Sequence, residues 1–236
     1  MVPWTVGRPS NQQQKNTFQV GLSPPGPRPP WQGNISRWEM GDSPLWVNFS
    51  NPTILNINTG KDWEGDPTLD DLVVVDESEV LTADSWIYLL ITATSFPFGT
   101  PDRQFLSVAH PIHLHGHDFA ILRQSTTPYW DQIVDMKFDN PPRRDVALLP
   151  QGGYLILAFK ADNPGAWAVH CHIAWHASSG LAIQIMEREA DILQTITPDR
   201  RNETDRVCKN WNTWFSDPNN YFDPTRPDAF QDDSGI

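Results

Sequence analysis

Apolar residues in this chain come in short runs, each closed by residues that favour turns. "TILNI" starts at Thr53, "LVVV" at Leu72, "WIYLLIT" at Trp86 and "FAIL" at Phe119; "VALL" at Val146, "YLILAF" at Tyr154, "WAVHCHI" at Trp167 and "LAIQIM" at Leu181 follow. Between them stand "DNPP", "PQGG", "DNPG" and "SSG". Runs of this length, rich in β-branched and aromatic residues and separated by Gly, Pro and Asn, predict strands of an all-β sandwich or barrel. Before about residue 40 the pattern fails. "LSPPGPRPPW" at 22–31 removes backbone donors and favours extended backbone, which predicts a linker or irregular arm. Beyond Glu187 the chain turns polar; "ADILQTITPDRRNETDRVCKNW" predicts a helix or two before an Asp-, Asn- and Pro-rich tail. The chain therefore divides into an arm (1–44), a β domain (45–190) and a partly helical C-terminal extension (191–236).

Composition narrows the partners. The 236 residues carry a formal net charge of -12, 39% of them are hydrophobic, and no basic run stands out. That argues against nucleic acid and anionic membranes as partners. No apolar segment reaches the roughly 18 residues of a spanning helix. The first residues, "MVPWTVGRPSNQQQ", lack the charged and apolar regions of a signal peptide. Three N-x-[ST] triplets, at Asn34, Asn48 and Asn202, nonetheless lean toward a secreted glycoprotein.

The chemistry lies in the histidines. All seven occur in two stretches, "HPIHLHGH" (110–117) and "HCHIAWH" (170–176). Successive strand residues point to opposite faces. His170 and His172 thus face one way and Cys171 the other; His113 and His115 share a face, and His110 opposes them. His176 returns to Cys171 after a short turn. The spacing sorts the donors into two groups: Cys171 with His110 and His176, and the all-imidazole set His113, His115, His170 and His172. Two imidazoles and one thiolate suit a blue, type 1 copper centre. Leu181 occupies the axial position and cannot ligate, so three-coordination and a high reduction potential are expected. Zinc also binds His/Cys sets, but it accounts for neither the single thiolate nor the two-sided sorting. His117 is left over and reads as a supporting or structural residue.

These motifs resemble the C-terminal copper signatures of multicopper oxidases, and of ascomycete-type fungal laccases in particular. The resemblance rests on "HPIHLHGHDFAIL", "NPPRRDVALLP", "GGYLILAFKADNPGAWAVHCHIAWHASSGLAIQIMER" and the terminal "DSGI", and covers about residues 45–236 with the linker before them. It implies a cupredoxin-like Greek-key β-sandwich, the third of three such domains. It implies His110, Cys171 and His176 as type 1 ligands with Leu181 axial, His113 as a type 2 ligand, and His115, His170 and His172 as type 3 ligands. Phenolic or aromatic amine donors would be oxidised at type 1 copper, and dioxygen reduced to water at the trinuclear site. Leu181 leans toward a laccase, since methionine is common there elsewhere in the superfamily. The biological roles compatible with this resemblance are lignin breakdown, pigment formation and detoxification.

The family's trinuclear centre uses eight histidines, four of them from an N-terminal domain, and this chain holds no further histidine. In the family a cysteine near Cys208 bonds to the first domain. The expectation is a C-terminal piece lacking its N-terminal cupredoxin domains, inactive by itself; the alternative is a copper-binding electron-transfer module without oxidase activity. The resemblance also implies that the terminus, Asp233 to Ile236, plugs the channel to the trinuclear copper, with Ile236 buried. Deleting it is expected to leave the blue centre intact.

Overall fold

The computed structural model describes residues 4–7, 17–22, 37–41, 43–57, 72–74, 85–93, 108–129, 135–220, 234 and 236. Among them the chain forms strands β1 (Thr17–Leu22), β2 (Trp38–Met40), β3 (Leu72–Val74), β4 (Trp86–Thr92), β5 (His110–Leu114), β6 (Phe119–Ser125), β7 (Arg143–Arg144), β8 (Val146–Leu149), β9 (Tyr154–Lys160), β10 (Gly165–Cys171) and β11 (Ala182–Glu187). The helices are α1 (Ala174–Ser178), α2 (Glu189–Thr195) and α3 (Pro198–Phe215). The strands lie in two sheets, ordered β2-β1-β4-β9-β6-β7 and β3-β11-β10-β5-β8. This is the all-β sandwich that the short apolar runs predict.

Alternation along the central strands makes the core. Ile87, Leu89 and Ile91 of β4, with Leu155, Leu157 and Phe159 of β9, face inward and meet Ile112, Leu114, Val169, Cys171, Ile183 and Ile185 of the other sheet. The intervening residues Tyr88, Tyr154, Ile156 and Ala158 form a second cluster on the outer face of the first sheet, covered by Trp4, Val6 and Phe138. Full burial of one such side chain contributes about 2 kcal/mol.

Two expectations are corrected. The segment read as an irregular arm supplies β1 and β2, with β1 running parallel to β4 through Thr17↔Leu90 and Gln19↔Thr92. Sheet pairing in "TFQVGL" overrides the proline-rich surroundings, and Phe18 and Val20 join the core; most of the proline run itself lies outside the described residues. "TILNI" is not a strand but a 3-10 turn at Thr53–Leu55. Pro52 starts it, and its carbonyl accepts from Leu55 N and Asn56 Nδ2. That turn seats α3, whose Arg201 donates to the carbonyl of Leu55 over 2.7 Å. α3 opens as its sequence dictates: Thr197 caps it by accepting from Arg200 N, and Pro198 fills the first turn. Cys208 is buried within α3.

Candidate metal centre

β5 and β10 pair antiparallel in the register His113↔His170 and Ile112↔Cys171. That register decides what each face of the second sheet carries. Ile112 and Leu114 point to the core, and His110 points with them. Cys171, on the inward face of β10, therefore meets His110, while His113 and His170 emerge opposite. β5 runs straight through Pro111, which pairs with Leu148. The odd spacing of His110 and His113 is thus read out by one continuous strand.

The first group is His110, Cys171 and His176, whose donor atoms all lie within 4.8 Å of one another. Cys171 Sγ is 3.7 Å from His110 Nδ1 and 3.6 Å from His176 Nδ1. Cys171 is completely buried and the two histidines nearly so. Leu181 is buried in the same core cluster as Cys171. Its main chain ties the group together: Cys171 N donates to Leu181 O and Leu181 N to His176 O, each over 3.0 Å.

The second group is His113, His115 and His170, again with donors within 4.8 Å. His115 Nε2 and His170 Nε2 stand 3.0 Å apart. The outer ring nitrogens are occupied elsewhere: His113 Nδ1 donates to Asp145 O at 2.8 Å and His170 Nδ1 to Cys171 O at 2.9 Å. Both rings are thereby held with Nε2 turned into the group. His172 stands beside this group. Its ring stacks on His170 at 5.8 Å and stands edge-on to His113 at 5.6 Å.

The protonation states suit metal binding. Burial, aided by His176, pushes His110 down to about 4. Burial also lowers His176, and together with the neighbouring imidazoles it lowers His115 and His170. These rings are neutral at pH 7. Burial raises the Cys171 thiol to about 11, so a cation must displace its proton. The donor set fits copper: a buried thiolate with two imidazoles on one side of a strand pair, and imidazoles alone on the other.

His117 joins neither group. Its ring Nε2 lies 2.9 Å from Glu187 Oε2, and both side chains are buried. Its Nδ1 lies 3.2 Å from the carbonyl of His115. Burial alone would lower its pKa, but the Glu187 carboxylate outweighs this and raises it. Asn163 N donates to Glu187 Oε1, and Asn163 Nδ2 to Gly116 O, so the turn after His115 is tied from two sides. The supporting role read for His117 is the one its contacts allow.

Trp38 escaped the sequence reading. Its ring lies 4.2 Å from that of His176, tilted by 34°, and 5.0 Å edge-on from His110. It stands in the segment read as an arm, so no periodicity marked it as part of the site. Glu187 was likewise unremarked, because the last residue of a strand gives no sign that its carboxylate is buried.

Comparison with known proteins places the chain among others of this chemistry. The family model for multicopper oxidases matches residues 46–191. A laccase of Arthroderma benhamiae is 46% identical over 204 residues, covering 86% of this chain and 30% of that protein. Laccase-1 of Botryotinia fuckeliana is 41% identical over 202 residues, covering 85% and 31%. The crystal structure of a laccase from Botrytis aclada superposes with a TM-score of 0.71 at 34% identity, covering 99% of this chain and 36% of that one. The chain thus spans about a third of the length of the curated relatives it matches.

Proposed function

Since the chain belongs to the multicopper oxidase family, we propose that it is the electron-accepting C-terminal part of a laccase. His110, Cys171 and His176 would hold a type 1 copper beside Leu181, His113 would serve as a type 2 ligand, and His115, His170 and His172 as type 3 ligands. The observation that carries this reading is the sorting of donors by β10: one buried thiolate and two imidazoles on one side, imidazoles alone on the other. Copper at these groups would supply one-electron oxidation of a phenolic or aromatic amine donor and reduction of dioxygen to water.

The chain's own residues define the rest. Neutral His110 and His176 present Nδ1 toward Cys171. Cys171 releases its thiol proton on ligation, and the buried surroundings that raise its pKa also keep water from the thiolate. One peptide unit then joins Cys171 to His170. The Leu181 side chain offers no donor atom, which would favour a high reduction potential for copper held beside it.

The functional division runs 1–44, 45–190 and 191–236. The middle part carries every proposed ligand, the first contributes β1 and β2, and the last contributes α3 and the tail. Four imidazoles are half of what the trinuclear site needs, so N-terminal cupredoxin domains supply the others. Secretion as a glycoprotein fits the exposure of Asn48 and Asn202; Asn34 lies outside the described residues. Lignin breakdown is one role open to such an enzyme.

A second reading has its own observation. The chain's seven histidines are all used in the two clusters and their support, so by itself the chain has one complete copper site. By itself it is then an electron-transfer module without oxidase activity.

The test is copper loading followed by visible and electron paramagnetic resonance spectroscopy. A blue band is expected, and Cys171→Ser is expected to abolish it because a hydroxyl is a poor donor to a soft site. A blue band that survives this substitution rules the type 1 assignment out.

A further inference from the structure

The other end of the chain comes back to the helix that carries His176. Ser234 is completely buried. Its N–H donates to Ser178 O over 2.9 Å, and its hydroxyl donates to Ala177 O over 2.6 Å. Its carbonyl accepts from Val47 N over 2.8 Å. Ile236 N in turn donates to the Ser234 hydroxyl oxygen over 3.3 Å. Ser234 thus bridges α1 to the segment around Val47.

α1 needs such a bridge. It has five residues and no side-chain cap at its start. A helix this short does not hold itself together in water, and its last carbonyls have no partners inside it. His176 O is taken by Leu181 N, and Ala177 O by Gly180 N. Among the described residues, Ser178 O finds its donor in Ser234, and Ala177 O accepts a further bond there. The backbone from His176 to Ser178 is therefore held by Leu181, Gly180 and Ser234.

We infer that Ser234 is a positioning residue for His176, so that the chain terminus acts on the thiolate centre. It departs from the expectation that deleting the terminus leaves the blue centre intact. The expected burial of Ile236 is found only in part, since it is half-buried, and Asp233 and Gly235 lie outside the described residues. The inference rests on the copper reading above.

The test uses the full-length, copper-loaded protein that carries this chain. Ser234→Ala removes the hydroxyl and keeps both main-chain bonds, so the fold is preserved. It is expected to change the copper hyperfine splitting of the blue site. It should also speed release of that copper to a chelator about fivefold, the factor for the one lost hydrogen bond that reaches α1. Ser234→Thr keeps a hydroxyl and is expected to restore both values. Truncation after Asp233 removes all three bonds and should act further in the same direction; if it does not fold, Ser234→Ala decides alone. A blue wild type whose Ser234→Ala variant has the same hyperfine splitting and release rate overturns this inference and leaves the copper reading standing. A wild type that takes up copper without turning blue overturns both.

Discussion

His170 donates from Nδ1 to the carbonyl oxygen of Cys171, its own chain neighbour, over 2.9 Å. The bond fixes the ring so that Nε2 faces His115 Nε2. It also gives the two centres a second connection beside the covalent one, from the thiolate residue's carbonyl directly to an imidazole of the other group. His170→Ala should sever both routes at that ring while sparing His110, Cys171 and His176. In the full-length enzyme the blue band is expected to persist, with its re-oxidation by dioxygen slowed by at least about a hundredfold, the scale for losing a ligand's support. Stopped-flow recovery of the blue colour after reduction is the measurement. Recovery at the wild-type rate would mean that electrons do not pass through His170.

Leu181 is buried against Cys171 and contributes no donor atom. Leu181→Met places a thioether there, stabilising Cu(II) relative to Cu(I). The type 1 potential should fall by about 100 mV, roughly 2 kcal/mol for one electron. Redox titration of the blue band in both proteins checks this. An equal or higher potential in the variant would make Leu181 an ordinary core residue.

Acid should weaken the metal-free protein. His110 sits at about 4 when folded, below its ordinary value. Between roughly pH 6.5 and 4 the unfolded chain then binds the extra proton, so stability falls as pH falls through that window, by up to about 3 kcal/mol for His110 alone. His115, His170 and His176, also lowered by burial, act in the same direction. His117 acts oppositely: its raised pKa gives stability below its unfolded value that is lost as pH rises through the folded one. Four groups oppose one, so the melting temperature of the metal-free form should drop on acidification. A flat or rising profile over that window would contradict the buried neutral imidazoles.

The 236-residue chain alone, loaded with copper, should not consume oxygen with a phenolic donor. Its four imidazoles on one face cannot hold three coppers and leave room for oxygen. An oxygen electrode decides it. Sustained uptake by the monomer would favour a complete site assembled in some other way.

How much of this was legible in the sequence depends on the range of the interaction. The parity of His110, Cys171 and their neighbours is local, because a strand alternates its faces whatever it pairs with, and it separates Cys171 and His110 from His113, His115 and His170, which the structure also keeps in two groups. The runs from Trp86 to Leu181 became strands, since their apolar character is satisfied by either sheet. β1 and β2 were missed because "TFQVGL" and "WEM" take their structure from β4 and from each other, across long sequence separations. "TILNI" misled because Pro52 and the need to seat α3 outweigh a β-branched composition. Trp38 over His176, Glu187 under His117 and Ser234 behind α1 are contacts between distant segments, and no local pattern announces them.

The register of β5 against β10 also bears on how this protein can change over generations. One residue gained or lost between Val169 and His172 would turn Cys171 toward the imidazole cluster and a histidine toward the core, disabling both centres in a single event. Substitutions are graded in their effect, but length changes here are all-or-none. Insertions and deletions that survive in any lineage must therefore fall outside His110–Leu114 and Gly165–Cys171, and an alignment of descendants should show those two stretches without a gap.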